Sequence, residues 1–273
     1  MLIDTHCHLD AAEFDPDRMA VAATAAERGV RAIVIPAIGR QNWQAVRDLA
    51  HAFTGGAYAL GIHPLFVNDA DDADLQRLRA AIAAAMDDPR FVGVGEIGLD
   101  FFVKEISAGP AREKQERFYC AQLDLAVEFG LPVLLHVRRS QDIILKHLRP
   151  RAGRIGGIAH AFNGSAQQAR GFVDLGFALG VGGAMTYERA LQIRRHAAGF
   201  DLEHLVLETD APDIAPAWLH EPNRRNTPGE VAGVAQALAR LRGTEAGDIA
   251  AGTAATALRV LPRLASVVAC ATR

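Results

Sequence analysis

Cysteine and long apolar runs are the first things this sequence has little of. Its 273 residues include only Cys7, Cys120 and Cys270, which form no Cys-x-x-Cys pair and no spacing typical of a secreted domain. This usage suits a reducing compartment. Asp4 and His6 interrupt the apolar start where a signal peptide needs a continuous run, and no stretch has the apolar length of a membrane span. We therefore expect a cytoplasmic protein with no membrane partner.

A strong charge of one sign is also missing. The formal net charge is -3 and the isoelectric point is about 6.4, so no global basic field favours non-specific binding of nucleic acid. Any phosphate-bearing partner must be bound locally. Lysine is rare, with only Lys104, Lys114 and Lys146, and the remaining basic residues are arginines. There is no low-complexity segment and no Pro/Ser-rich linker, which favours one domain over residues 1–273.

The chain alternates short apolar or β-branched runs with longer amphipathic, alanine-rich stretches. This rhythm predicts parallel strands joined by crossover helices. Three strands follow a glycine, Gly29, Gly130 or Gly176, that suits the left-handed end of a helix. Eight strands and nine helices favour a single (β/α)8 TIM barrel of the α/β class over an open doubly wound sheet. The predicted strands are 2–8, 30–37, 57–63, 91–97, 131–137, 155–161, 177–182 and 205–210.

Histidines and carboxylates recur where these strands end. His6 and His8 stand two apart, so both side chains point to the same face of the first strand. In a parallel barrel, strand ends meet at the C-terminal mouth. Burying so many ionisable groups together is costly unless a metal compensates, so the pattern predicts a metal centre. The other polar residues at strand ends are His63, Glu96, His136, His160, Glu208 and Asp210.

The number of these side chains suggests how many metals they bind. A single zinc-like ion takes three protein ligands and a water, whereas four histidines and two carboxylates suit two divalent ions about 3.5 to 4 Å apart. Glu96, from the middle of the barrel, is the natural bridge. Two such ions with a bridging hydroxide leave a local charge of about +1, which favours an anionic substrate such as a phosphate. Zn, Mn, Mg and Ni all fit such a donor set.

Six motifs together resemble the TatD family of metal-dependent deoxyribonucleases, over nearly the whole chain. They are 4–8 (Asp-Thr-His-Cys-His), 61–64 (Gly-Ile-His-Pro), 95–100 (Gly-Glu-Ile-Gly-Leu-Asp), 135–138 (Leu-His-Val-Arg), 160–164 (His-Ala-Phe-Asn-Gly) and 207–212 (Leu-Glu-Thr-Asp-Ala-Pro). Residues 137–139 and 180–183 are most similar to the YjjV branch. The resemblance implies a barrel hydrolase that uses a metal-activated water on phosphodiesters, often as a 3′-to-5′ DNase on DNA or oligonucleotide ends. It implies no obligate protein partner.

The resemblance also implies a ligand set for each metal. His6, His8, Glu96 and Asp210 would bind one ion, and Glu96, His136 and His160 the other. The chain departs from the family at Ala161 and Asn163, where Cys and Ser are common, and at Val137, where Ser or Cys is common.

Chemistry suggests roles for the remaining polar residues. Asp210 is the candidate base for the attacking water, and His63, held extended by Pro64, can donate to a phosphate oxygen or leaving group. Glu208 shares the face of Asp210 and either orients a ligand, contacts substrate or pairs with an arginine. Arg138 shares the face of His136, and its planar fork suits a phosphodiester. Within 223–228, Arg225 is expected over the mouth, although a solvated charge run is the alternative.

Three other functions compete with this prediction. Cyclic amidohydrolases and phosphotriesterases also begin with His-x-His, but they commonly bridge their metals with a carbamylated lysine, and no lysine here ends a convincing strand. A mononuclear deaminase-like site would contain one metal per chain. A barrel that only binds nucleic acid is disfavoured because the chain has no basic face.

Overall fold

Eight parallel strands form one sheet in the order β1 to β8 in the computed structural model, which describes residues 1–222 and 224–271. The strands are β1 Leu2–Asp4, β2 Val30–Pro36, β3 Gly56–Leu60, β4 Phe91–Asp100, β5 Val133–Arg138, β6 Gly157–Ala159, β7 Phe177–Val181 and β8 Leu205–Leu207. The α-helices of the described residues are α1 Arg18–Glu27, α2 Trp43–Ala52, α3 Asp72–Ala85, α4 Gly109–Phe129, α5 Gln141–Leu148, α6 Ala166–Asp174, α7 Leu191–Gly199, α8 Val231–Arg242, α9 Ala246–Val260 and α10 Leu264–Ala271.

Hydrogen bonds between β1 and the residues around β8 close the sheet into a barrel. The Thr5 N–H donates to the Leu207 carbonyl at 3.0 Å, and the Asp210 N–H donates to the His6 carbonyl at 2.8 Å. The prediction of a (β/α)8 barrel is therefore confirmed. Closure also brings the first and last strands' polar residues together, since His6 Nε2 and Asp210 Oδ1 lie 3.6 Å apart.

The core has two layers. The outer layer fills the space between the sheet and the surrounding helices. The inner layer fills the barrel with small and branched side chains such as Ala32, Ala57 and Val206, and it continues into Leu264 and Val267 of α10. Since α10 also packs against β2 and β3, it covers the N-terminal end of the barrel. The opposite, C-terminal end is thereby left as the place where polar side chains collect.

The element bounds differ from the prediction mainly at strand ends. The strand expected over 205–210 ends at Leu207, because Asp210 has a φ of 56° and leaves the extended conformation. Helix α10 was missed, because Pro262 follows the predicted last helix and such a proline ordinarily ends helical structure. The left-handed glycines were correctly predicted: Gly29, Gly130 and Gly176 have φ values of 90°, 64° and 86°.

The described residues contain no helix that is both long and apolar enough to cross a membrane. The assignment of residues 1–273 to one domain stays a prediction, since Asn223, Thr272 and Arg273 lie outside the described residues.

A buried carboxylate links three elements below β4. Asp88 accepts hydrogen bonds from the Tyr58 hydroxyl at 2.9 Å and from the Arg90 N–H at 3.0 Å, and it contacts His51 Nε2 at 2.9 Å. Burial alone would raise the pKa of Asp88, but these hydrogen bonds outweigh burial and lower it. The Tyr58 ring is fully buried, so its hydroxyl depends on this partner.

We expect Asp88→Ala to lower the free energy of unfolding by about 1–3 kcal/mol at pH 7, because the Tyr58 hydroxyl loses its hydrogen bond. The lowered pKa means that the ionised carboxylate stabilises the fold above its unfolded pKa of 3.8 and that this contribution is lost as the pH falls through the folded value. Urea titrations should therefore show that the difference in free energy of unfolding between wild type and Asp88→Ala is smaller below pH 4 than at pH 7. The control is Asp87→Ala, because Asp87 is the exposed neighbour of Asp88. An equal loss of stability in both variants would contradict the role of Asp88.

Candidate metal centre

Glu96 on β4 lies at the centre of the polar cluster at the mouth, and its side chain is only 2% exposed. Its Oε2 is 3.2 Å from His6 Nε2 and 3.4 Å from His8 Nε2. Asp210 Oδ1 is 3.6 and 3.7 Å from the same two imidazole nitrogens, which are 3.3 Å apart. Four donors arranged tetrahedrally about 2.1 Å from a Zn²⁺ ion would be about 3.4 Å apart. The residues of this first ligand set therefore fit a divalent metal.

A second ligand set faces the other oxygen of Glu96. Glu96 Oε1 lies 3.0 Å from His136 Nδ1, 3.4 Å from His63 Nε2 and 3.9 Å from His160 Nε2. Ligand atoms of His63, Glu96 and His136 lie within 4.8 Å of one another, as do those of His6, His160 and Asp210. One carboxylate therefore faces both ligand sets, with a different oxygen toward each.

Buried carboxylates orient two of these histidines from behind. His136 Nε2 is 3.0 Å from Asp100 Oδ2, and His160 Nδ1 is 3.2 Å from Glu208 Oε1. If each nitrogen carries its proton toward the carboxylate, the opposite nitrogen presents a lone pair to the cluster. Glu208 also accepts a hydrogen bond from the Ala161 N–H at 2.6 Å. Its contacts within the described residues are thus with the cluster rather than with an arginine.

His63 differs from the other histidines in its tautomer. Its Nδ1 accepts a hydrogen bond from the Leu65 N–H at 3.1 Å, so the proton of the neutral ring is on Nε2. Burial lowers the pKa of His63 to about 4, which keeps the ring neutral at pH 7. A nitrogen that carries a proton is a donor and not a metal ligand. This favours the role of proton donor for His63, with Nε2 3.0 Å from His136 Nδ1.

Neighbouring charges give the buried imidazoles of the cluster very different pKa values. Burial lowers the pKa of His6 to about 3. Burial acts in the same direction on His8 and His160, but Glu96 raises the pKa of His8 to about 9, and Asp210 with Glu208 raises that of His160 to about 10. A divalent cation can replace the protons that buried histidines bind beside carboxylates.

Asp4 links β1 to the residues after β8, and Asn226 fixes the loop after β8; neither was predicted as a site residue. Asp4 accepts hydrogen bonds from the Thr209 N–H at 2.9 Å and from the Thr209 hydroxyl at 2.6 Å. Burial raises the pKa of Asp4 to about 8. The Asn226 side chain donates to the carbonyls of Thr209 and Asp213, each at 2.8 Å.

The sequence could have indicated Asp4 as a site residue, because Asp4 shares the alternating strand face of His6 and His8. Asp100, which also was not assigned a role, follows Glu96 on the same face.

Three residues after strands adopt left-handed backbone conformations at the mouth: Arg139 at φ 55°, Ala161 at φ 43° and Asp210 at φ 56°. Such conformations are unfavourable for residues with a Cβ and are typical of functional sites. At Asp210 this turn brings the carboxylate back toward His6 and His8.

The two arginines predicted to bind substrate have different surroundings. Arg138 extends from the end of β5, where its guanidinium is 3.8 Å from Asp100 Oδ2 and stacks on the exposed Phe102 ring at 3.9 Å. Arg225 instead forms an ion pair with Asp17 at 2.6 Å. The structure thus brings Arg138, but not Arg225, to the edge of the cluster. Asn223, in the same predicted segment, lies outside the described residues.

Glycine at position 180 lets β7 approach Glu208 closely. A Cβ at Gly180 would lie 2.2 Å from Glu208 Oε2, and one at Gly183 would lie 2.0 Å from the Ile214 carbonyl. These two glycines therefore let β7 and the segment after it pack closely against the residues that follow β8.

We expect Gly180→Ala to weaken metal binding about 10–100-fold, because the new methyl group displaces Glu208 and with it His160. Calorimetric titration of the metal-free protein with Zn²⁺ or Mn²⁺ measures this directly. Gly247→Ala is the matched control, since a Cβ there meets no atom within 4 Å. Wild-type affinity in Gly180→Ala would show that Glu208 does not position a ligand.

The barrel and its histidine–carboxylate cluster define a metal-dependent hydrolase of the TIM-barrel class. A family model described as TatD related DNase matches residues 3–262. The chain therefore belongs to the TatD family.

Individual relatives resemble the chain over nearly its whole length. The uncharacterized metal-dependent hydrolase YjjV of Escherichia coli K12 is 40% identical over 249 residues, which cover 91% of this chain and 93% of the relative. Its crystal structure gives a TM-score of 0.87 at 37% identity and covers 96% of this chain and 98% of its own. The 3′-5′ ssDNA/RNA exonuclease TatD of Shigella flexneri serotype 5b is 31% identical over 256 residues, 92% of this chain and 95% of the relative.

Proposed function

We propose that this protein is a phosphodiesterase that uses two divalent metals and removes nucleotides from the 3′ ends of DNA. The observation that carries the proposal is the position of Glu96, whose Oε2 lies 3.2–3.4 Å from His6 and His8 and whose Oε1 lies 3.0 Å from His136 and 3.9 Å from His160. Nucleases and phosphatases are among the enzymes that use two metals held in this way. His6, His8, Glu96 and Asp210 would bind one ion, and Glu96, His136 and His160 the other.

A divalent metal bound here supplies positive charge that acidifies water and polarises a phosphodiester. Asp210 is the proton acceptor in this proposal. In the metal-free protein, burial raises the pKa of Asp210 to about 6. Its Oδ1 faces the imidazoles of His6, His8 and His160, which leaves Oδ2 to accept the proton of the attacking water.

His63 acts at the other end of the reaction. The proton on Nε2 points into the cluster, because the Leu65 N–H occupies Nδ1. A neutral imidazole so placed can donate a hydrogen bond to the leaving oxygen and stabilise the negative charge that develops there. Glu208 and Asp100 do not touch the reacting groups in this scheme. They hold His160 and His136 in their orientations.

Arg138 is the proposed contact for a substrate phosphate. The Phe102 ring carries Arg138 at 3.9 Å and Arg139 at 4.6 Å, so two guanidinium groups share one exposed aromatic ring beside Asp100. A planar guanidinium group can donate two parallel hydrogen bonds to two oxygens of one phosphate.

The chain lacks the lysine that the main alternative function requires. In cyclic amidohydrolases and phosphotriesterases of the carbamylated type, a lysine bridges the metals. Here Lys104 is exposed in the segment after β4, Lys114 lies on α4 and donates to the Ala70 carbonyl at 2.6 Å, and Lys146 lies on α5. Glu96 occupies the bridging position. The relative named as a 3′-5′ ssDNA/RNA exonuclease further favours a nucleic-acid substrate.

The decisive experiment offers the purified protein three substrates while Zn²⁺, Mn²⁺, Mg²⁺ and Ni²⁺ are titrated. They are a 5′-labelled single-stranded DNA, bis(p-nitrophenyl) phosphate and a dihydropyrimidine. We expect shortening of the DNA from its 3′ end, and two metals per chain by elemental analysis. Opening of the dihydropyrimidine with intact DNA would establish the amidohydrolase function instead, and one metal per chain at saturation would contradict the paired site.

We expect Asp210→Asn to lower kcat about 100-fold or more, because the amide keeps the shape of the side chain but cannot accept the proton. Metal content, measured on the same sample, should fall less. Asp201→Asn is the control, since this exposed residue precedes β8 at the opposite end of the barrel. Wild-type turnover in Asp210→Asn at full metal occupancy would exclude Asp210 as the base.

A further inference from the structure

A cleft of about 790 Å³ opens beside the metal centre, between the loops that follow β6, β7 and β8. This volume lies in the range of pockets that bind small organic molecules, about 300–1,000 Å³. A smaller cavity lined by Glu208 and Asp210 shares Ala184, Ile193 and Ile214 with the cleft. The cleft thus lies next to the cavity that contains these two carboxylates.

Two arginines of the cleft have no carboxylate partner among the described residues. Arg189 follows β7 and Arg224 belongs to the loop after β8, and both side chains are exposed. They differ in this from Arg225, which pairs with Asp17. Asp213 is the one acidic residue of the cleft lining, so the charged side chains of the lining sum to +1. The cleft therefore offers unpaired cations to an anionic ligand.

The wall of the cleft also presents flat and apolar surfaces. The Tyr187 hydroxyl donates to the Ala215 carbonyl at 3.0 Å, which fixes the ring in place. Leu191 and Ile214 line the cleft with 69% and 36% of their surfaces exposed. Unpaired arginines that alternate with an immobilised aromatic ring and apolar side chains are typical of grooves that bind single-stranded nucleic acid.

We propose that this cleft binds the single-stranded polynucleotide that continues on the 5′ side of the bond at the metal centre. Arg189 and Arg224 contact successive backbone phosphates, and Tyr187 with Leu191 and Ile214 contact the bases. The proposal rests on the phosphodiesterase function above and adds its substrate class, a strand several nucleotides long. Arg138 and Phe102, at the ends of β4 and β5, lie across the mouth from the loops after β7 and β8, where the shorter 3′ portion would be bound.

The test measures DNA binding by the metal-free protein, so that it does not depend on turnover. Fluorescence anisotropy compares a labelled thymidine decamer with a labelled thymidine dinucleotide over a range of salt concentrations. We expect the wild-type protein to bind the decamer more tightly than the dinucleotide. The double variant Arg189→Ala/Arg224→Ala should bind the decamer about ten-fold more weakly than wild type and so lose most of this difference. The slope of log affinity against log salt should fall by about 1.4, since each contact with a single-strand phosphate contributes about 0.7.

Two variants serve as controls. Arg154→Ala removes an exposed arginine before β6, at the opposite end of the barrel, and should bind the decamer as wild type does. Arg189→Lys/Arg224→Lys keeps both charges and should retain the wild-type salt slope. The thermal transition of every variant is measured alongside. Wild-type decamer affinity and salt slope in a folded Arg189→Ala/Arg224→Ala would overturn the proposal, as would an equal loss in Arg154→Ala.

The two proposals fail in different ways. DNA hydrolysis by wild type, with decamer binding that does not depend on Arg189 and Arg224, overturns the strand cleft alone. Arginine-dependent binding of the decamer without hydrolysis under any metal supports the cleft and overturns the nuclease activity. A protein that neither binds nor cleaves the decamer overturns both.

Discussion

The arrangement of the site depends on one buried carboxylate, Glu96, whose two oxygens face separate sets of imidazoles. A buried negative charge is unfavourable unless cations or hydrogen-bond donors surround it. The neighbouring backbone makes the position possible, since a Cβ at Gly61 would lie 2.8 Å from the Gly95 carbonyl carbon and one at Gly95 would lie 2.6 Å from Leu134 Cβ. Glycines thus allow β3, β4 and β5 to pack tightly and bring Glu96 under the mouth.

Three further buried carboxylates surround this centre, and each stabilises a different part of it. Asp100 orients His136, Glu208 orients His160, and Asp4 binds Thr209 across the seam where the barrel closes. Because each carboxylate follows or belongs to a strand, the barrel fixes the ligands through backbone positions rather than through mobile loops.

The mouth is asymmetric. Toward β4 and β5, arginines pack on Phe102 next to Asp100, so positive charge lies directly beside the cluster. Toward β7 and β8, a deeper cleft combines Tyr187 with the unpaired Arg189 and Arg224. Positive charge thus lies on both sides of the mouth of a chain whose net charge is -3.

The sequence by itself determined the barrel and the residues that gather at its mouth. Strand–helix alternation defines the topology, and a period of two residues places His6 and His8 on one face. Tertiary structure decided which histidine faces which oxygen. The sequence did not indicate that His160 stacks on His6, with ring centroids 3.8 Å apart, or that His63 lies beside His136. The tertiary structure also decided that Arg225 pairs with Asp17 while Arg224 lines the cleft. The physical reason is that side-chain rotamers and loop paths are set by contacts between residues distant in sequence, which no local pattern encodes.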